Sequence, residues 1–408
     1  MTIPPKNLEQ LVGGLRCISA SDVGMRRKNN QDSVAITLAD SPEQWASHGH
    51  LFVVADGMGA HAAGELASKL ATDNIPHSYY KRTEQSPSEA IVEAVREAND
   101  TIHTKGENSV DFQGMGTTCS CLVLLPQGAL TAHVGDSRVY RLREKRFEQL
   151  TFDHSLVWEM AAASHAAEED VPAYVPKNVI TRSLGPHPTV AVDVEGPFAL
   201  RSGDRFLLCS DGLTGPLSPE LIGMVLSSLP PSEVVQSLVD LANLLGGPDN
   251  ITVIVVEVFD VGKLGVATAS ESAGGASAGI SSRSFSFFDF VRNLFSLRGK
   301  SRGRPCSAGH PPIDSRGKAP YRCHRSAPSA ENIGTLVDIV RQLEELESRR
   351  DWDFDWKPIH ECRLEAQQAV DRGDYEEAVV GYCQAVRMLM EELRHSSPEP
   401  SSDSSIEL

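Results

Sequence analysis

Four aspartates in this chain stand where apolar, strand-like runs meet tight turns. Val53-Val54-Ala55-Asp56-Gly57-Met58-Gly59 is one such place, and Phe206-Leu207-Leu208-Cys209-Ser210-Asp211-Gly212 is a second. Gly246-Gly247-Pro248-Asp249-Asn250 sets a carboxylate just ahead of the run ITVIVVEV, and Ala132-His133-Val134-Gly135-Asp136-Ser137 adds a fourth. A carboxylate beside glycine, with an exposed backbone carbonyl next to it, suits a hard cation such as Mg²⁺. Any one of these sites alone reads most simply as a tight turn. Four in one domain point to convergence, and converging carboxylates repel one another unless cations lie between them.

The elements that must carry these residues are legible in outline. Short β-rich runs bounded by Gly, Pro, Asp or Asn fall at 51–55, 117–125, 129–136, 138–142, 205–209 and 251–258. Several follow one another through tight turns, which favours antiparallel pairing. Helical spacing occupies His61 to Tyr80, Ser88 to His103 and Ser232 to Leu245, and Ser218-Pro219 opens a further helix. Residues 15–260 therefore read as one domain of mixed strands and helices.

Beyond it the composition changes. Residues 261–328 are Ser/Gly/Ala-rich, then Arg/Pro/Gly-rich, with 11 Lys/Arg against 3 Asp/Glu, and read as a flexible linker. A Phe-rich island from Phe285 to Leu297 reads as a segment docked on a neighbouring domain rather than on a membrane surface. Residues 329–395 are helical again. Ile333, Leu336, Val337, Val340, Leu343 and Leu346 form an apolar stripe, and Asp371-Arg372-Gly373-Asp374-Tyr375 breaks two later helices lined with small residues. That hairpin resembles one tetratricopeptide repeat, which needs a neighbouring surface to be stable; the stripe helix is the candidate. Residues 396–408 read as a disordered acidic tail.

The net charge of −17 over 408 residues disfavours nucleic acid as a partner. No run of about 18 apolar residues is present, and no signal segment is read, so a cytoplasmic protein without a transmembrane segment is expected. The eight cysteines are scattered and read as reduced thiols. Cys306, His310, Cys323 and His324 lack regular zinc-ligand spacing and are not taken as a zinc site.

From residue 18 to about 258 the motifs, in order, resemble the protein phosphatase type 2C family, the metal-dependent Ser/Thr phosphatases. They are Ser21-Asp22-Val23-Gly24 through Asp32, Asp56-Gly57-Met58-Gly59-Ala60-His61, Gly114-Met115-Gly116-Thr117-Thr118 and Gly135-Asp136-Ser137-Arg138. Leu150-Thr151-Phe152-Asp153-His154, Asn178 to Gly185, Ser210-Asp211-Gly212-Leu213 and Asp249-Asn250-Ile251-Thr252 complete the set. The resemblance implies an α+β fold, a four-layer α-β-β-α sandwich of two antiparallel sheets. It also implies two Mn²⁺ or Mg²⁺ ions, with Asp56 bridging them, the Gly57 carbonyl on one, and Asp211 and Asp249 on the other. Asp136 would help hold a third ion, and Asp32 would act through water. The implied reaction is in-line hydrolysis of phosphoserine and phosphothreonine in phosphoproteins, opposing a bacterial-type Ser/Thr kinase. Arg27 is the phosphate-binding candidate, because a guanidinium fork matches phosphate oxygens.

His61 and His154 both sit at expected helix starts, and structural roles are preferred for them. Gln31 stands where many family members carry glutamate, so one metal is expected to bind more weakly. Residues 155–178 correspond to the variable flap, so substrate specificity does not carry over. A competing class is a catalytically weak scaffold that uses the fold and the C-terminal hairpin to bind a protein partner. Retention of Asp56, Asp211, Asp249 and Arg27 argues against it.

Overall fold

The structure is a computed structural model that describes residues 8–59, 62–164, 170–172, 174–176, 178–265, 322–347 and 355–395. The strands among these residues are β1 (Leu8–Val12), β2 (Leu15–Asp22), β3 (Asp32–Thr37), β4 (His50–Met58), β5 (Gly116–Thr117), β6 (Cys119–Leu125) and β7 (Gly128–Val134). They continue with β8 (Arg138–Arg143), β9 (Arg146–Gln149), β10 (Asp193–Phe198), β11 (Asp204–Cys209), β12 (Ile251–Val258) and β13 (Cys323–Arg325). One sheet runs β1-β2-β12-β11-β8-β9-β13, and the other runs β10-β7-β6-β4-β3 with β5 beside β4. Every pairing is antiparallel.

The two sheets face each other across a dry layer that includes Phe52, Val54, Leu122, Val139, Phe206, Leu208, Ile254 and Val256. Alternation explains this layer. In β12, Ile254 and Val256 point to the opposite sheet, while Val253 and Val255 point outward to helices. On the outside of the six-stranded sheet lie α2 (Ala63–Lys81) and α3 (Pro87–Glu107), whose alanines allow close packing. The start of α3 is fixed by Ser86 and Glu89 as a capping box, with Pro87 in the first turn. On the outside of the seven-stranded sheet lie α6 (Pro219–Ser228) and α7 (Pro231–Leu244). The expected four-layer sandwich is therefore the architecture.

A fifth layer covers α6 and α7. It comprises α8 (Ile333–Glu347), α9 (Trp356–Arg372) and α10 (Tyr375–His395), whose buried residues join one continuous cluster with α6 and α7. Gly373 ends α9 in the left-handed conformation at φ 79°, as the sequence break required. Gly381 lies so close to Ala366 that an added Cβ would come within 2.9 Å of its side chain, which fixes the tight crossing of α9 and α10. The stripe residues Ile333, Leu336 and Val340 are buried in this layer. The hairpin thus rests on the two-sheet fold as well as on α8.

Three features differ from the sequence reading. Cys323–Arg325, within the span read as linker, pairs with β9 and becomes the last strand of the larger sheet. Asp56 lies inside β4, not at the end of a strand, because β5 continues the pairing at Gly57 and Met58. The run 117–125 is interrupted at Thr118, whose hydroxyl bonds the backbone N–H of Asp56 at 2.9 Å and the Ser137 hydroxyl at 2.7 Å. The Phe-rich segment, the tail, Cys306 and His310 lie outside the described residues. Cys323 and His324 are engaged elsewhere: Arg146 Nε donates to the Cys323 sulfur, and His324 Nδ1 meets Glu220 at 2.7 Å.

Candidate metal centre

Register brings the aspartates to one end of both sheets. Asp32 opens β3 and is paired directly with Asp56 of β4. In the other sheet, Ile251 at the start of β12 pairs with Asp22 at the end of β2. Cys209 at the end of β11 pairs with Val253 of β12. The residues just beyond these strand ends, Asp211 and Asp249, are therefore neighbours. Asp136 lies in the turn by which the chain crosses from β7 to β8, and so from one sheet to the other.

The supports of these side chains are well defined. Asp32 Oδ2 accepts from the Ser210 hydroxyl at 2.7 Å, and that hydroxyl in turn accepts from the Thr252 N–H at 3.0 Å. Asp56 is held through its backbone, whose carbonyl accepts from Thr118 N at 2.8 Å and from the Thr117 hydroxyl at 2.9 Å. Asp211 is the first residue of the short helix α5 (Asp211–Thr214). Asn250 is the hub on the other side. Its Oδ1 accepts from Gln31 N, and its Nδ2 donates to the carbonyls of Val23 and Asn29. Gly57 must be glycine, because a Cβ there would lie 2.1 Å from the Gly64 carbonyl oxygen and 2.6 Å from that of Gln31.

The electrostatics are those of a site built for positive charge. Asp32 and Asp136 are each 9% exposed, whereas Asp56, Asp211 and Asp249 are half-buried. Burial pushes the Asp32 carboxyl up to about 7, and Asp211 and Asp249 push the same way against the hydroxyls that hold it. Burial raises Asp136 to about 8, with Asp211 adding to it. Asp56 is held well above the usual carboxylate range by burial first, then by Asp32, Asp211, Asp136 and Asp249. Burial and Asp249 raise Asp211 as well. These are the signs of carboxylates that lack a counter-charge.

One buried oxygen each of Asp32, Asp136 and Asp211 has no hydrogen-bond partner. Buried acceptors without partners are costly, and hard oxygen donors of this kind fit Mn²⁺ or Mg²⁺. Among the described residues, no three His, Cys, Asp or Glu side chains stand close enough together to hold a metal ion by themselves. The Gly57 carbonyl and water are the natural remaining donors, as is usual for Mg²⁺, which keeps several waters.

Arg27 belongs to the same centre. Its guanidinium bonds Asp249 Oδ2 at 2.6 Å while remaining 50% exposed. The hydrogen bond to Asp249 raises its pKa further, and Asp56 and Asp211 add to the effect. A guanidinium has five donors, so one bond to Asp249 leaves donors for an incoming oxyanion. Gln31 turns its side-chain Nε2 toward the Gly59 carbonyl at 3.4 Å and its backbone carbonyl toward Gly57 N at 3.1 Å. It braces the loop around Asp56. His154 accepts from Gly135 N through Nδ1 at 3.0 Å and donates its own N–H to the Gly135 carbonyl at 2.7 Å. It fixes the turn before Asp136, which agrees with the structural role expected. His61 lies outside the described residues. The sequence reading assigned no role to Asp22, Ser210, Asn250 or Thr252. Their only signal was position within the quoted motifs.

A two-sheet sandwich with an acidic centre at one end of both sheets is the architecture of metal-dependent phosphatases. The family model described as protein phosphatase 2C matches residues 25–245, and the chain belongs to that family. Protein phosphatase PhpP of Streptococcus pneumoniae is 36% identical over 242 residues, covering 58% of this chain and 95% of that protein. The crystal structure of the Mycobacterium tuberculosis serine/threonine phosphatase PstP/Ppp is 35% identical and covers 61% of this chain and 99% of its own, with a TM-score of 0.52. The catalytic domain of PstP in complex with two manganese ions is 34% identical, covers 61% of this chain and 100% of its own, and has a TM-score of 0.50. The family match ends at residue 245, so α8, α9 and α10 lie outside it.

Proposed function

We propose that this chain is a metal-dependent protein serine/threonine phosphatase that hydrolyses phosphoserine and phosphothreonine in proteins. The observation that carries the reading is the meeting of Asp32, Asp56, Asp136, Asp211 and Asp249 at one end of both sheets with Arg27 beside them. Asp56 would bridge two Mn²⁺ or Mg²⁺ ions, with the Gly57 carbonyl on one and Asp211 and Asp249 on the other. Asp136 would help hold a third. When bound, such ions make a nucleophile available from water near neutral pH and stabilise charge on the phosphoryl oxygens.

The chain's own residues do the rest. Arg27 grips the phosphate of the substrate with the donors that Asp249 leaves free, and so orients the ester for in-line attack. Asp32, fixed by Ser210, offers its unpartnered Oδ1 as the atom that holds a proton of water in the cleft. The half-buried faces of Asp56, Asp211 and Asp249 admit ions from solvent.

The test is hydrolysis of a phosphopeptide and of a small aryl phosphate. Activity should need Mn²⁺ or Mg²⁺ and be lost in chelator and in Asp211→Asn. A folded protein without turnover under any divalent metal would sink the reading and leave the scaffold.

We also read residues 15–260 as the catalytic unit, 261–328 as a linker, 329–395 as a helical unit and 396–408 as a tail. The α9–α10 hairpin is read as tetratricopeptide-like and as a contact for a protein partner. The physiological counterpart is read as a Ser/Thr kinase, and the location as the cytoplasm. Among the described residues, no helix is long and apolar enough to cross a membrane.

A further inference from the structure

The C-terminal helices touch the catalytic fold at a place with a direct route to the candidate metal centre. Asp240 of α7 is fully buried, and its Oδ1 accepts from Arg394 of α10 and, at 2.8 Å, from Gln236 Nε2. One helical turn further along α7, Asn243 Nδ2 donates to Asp22 Oδ1 at 3.1 Å. The same Asp22 oxygen accepts from Gly24 N at 2.8 Å. Met25 N then donates to the Gly247 carbonyl at 2.9 Å. These bonds clasp the loop that carries Arg27 to the end of α7 that leads into Asp249, and Arg27 closes the circuit on Asp249.

We propose that the docking of α10 on α7, locked by the buried Arg394–Asp240 pair, positions the Arg27 loop and Asp249, so that Arg394 and Asp240 are positioning residues for the phosphatase site. The proposal rests on the functional reading above for its effect on metal and phosphate.

Two observations support it. The pair is costly where it stands: burial holds the Asp240 carboxyl up at about 6 despite Arg394 and Gln236. A buried ion pair of this kind contributes little net stability and is better explained by the specificity of the arrangement it imposes. The pair also stands one turn of α7 ahead of the clasp, on the face of α7 whose Glu233 and Asp240 lie near Cys383 of α10.

The experiment uses the full chain and compares wild type, Arg394→Lys, Arg394→Gln and the double variant Asp240→Asn/Arg394→Gln. The double variant keeps a neutral hydrogen-bonding pair where the single variant strands a buried charge. Backbone hydrogen exchange in the presence of chelator reads residues 22–31 and 246–250, and calorimetric titration with Mn²⁺ reads affinity. The expected result for Arg394→Gln is faster exchange in both segments and roughly tenfold weaker Mn²⁺ binding, the lower end of what loss of an outer partner of a metal ligand does. Arg394→Lys should recover part of both, and the double variant should fold while retaining the loosened loops. Faster exchange confined to α7 and α10, with both loops unchanged, would overturn the proposal. Loosened loops with unchanged Mn²⁺ affinity would leave the coupling standing and remove Asp249 from the metal.

Discussion

Arg27 offers the sharpest test of how the centre divides its work. It touches Asp249, a candidate metal ligand, and it is also the candidate grip on phosphate. The two roles predict opposite effects of removing it. Arg27→Ala deletes a charge-assisted contact to phosphate, and such contacts contribute about 1.5–3 kcal/mol. Because the side chain is 50% exposed, solvent screening places the expected loss in the lower half of that range. About 1.5–2.3 kcal/mol corresponds to a fall in kcat/KM of about 10- to 50-fold. The same substitution frees Asp249 from a competing cation, so Mn²⁺ should bind as well as before or better. The assay is steady-state hydrolysis of a phosphopeptide across a Mn²⁺ titration. Arg27→Lys should restore part of kcat/KM, since it keeps the charge and loses the planar fork. Unchanged kcat/KM at saturating metal, together with weaker Mn²⁺ binding, would show that Arg27 serves only to hold Asp249.

Three further outcomes are expected. Asp211→Asn should raise the melting temperature in chelator, because it relieves one of the carboxylates that repel Asp56, and should abolish turnover with Mn²⁺; differential scanning fluorimetry with and without metal reads the first effect. Leu238→Ala, at a fully buried site between α7 and its neighbours, should cost about 2–5 kcal/mol in urea unfolding. Burial lowers the pKa of His50 below 6.5 and that of His133 well below it. The unfolded chain therefore takes up protons near pH 6.5 that the folded chain refuses, and stability falls as pH drops through that value. Against wild type, His50→Gln should show a shallower loss between pH 7.5 and 5.5 in urea melts; equal slopes would refute the assignment.

Much of the fold was legible because strands such as β6, β7, β11 and β12 are short, apolar and bounded by turn residues. β2 and β3 were not, since Ser19, Ser21, Asp22, Asp32 and Ser33 dilute their apolar pattern. Their pairing is set by neighbours in the sheet and by the site that their ends build. β13 had no signal at all: three residues, Cys323, His324 and Arg325, become a strand only because β9 offers an open edge. The aspartates were visible as residue types beside glycine. Their number pointed to convergence, but which of them face one another was not legible, because that depends on antiparallel register across two sheets. Asn250 shows the same limit. A short polar side chain that binds Gln31, Val23 and Asn29 reads in sequence as one more turn residue.

The covering of α7 by α10 also has a consequence for synthesis. The strands and helices up to residue 265 can assemble as soon as they leave the ribosome, yet the apolar outer face of α6 and α7 waits for its cover. Roughly 150 residues separate the end of α7 from Arg394, which at about 5–20 residues per second leaves that face open for about 8–30 seconds in each round of translation. During that interval the nascent chain presents the apolar residues that α8, α9 and α10 later cover to whatever is nearby, including its own copies on the same message. The last-made helices therefore decide how long each new chain remains sticky.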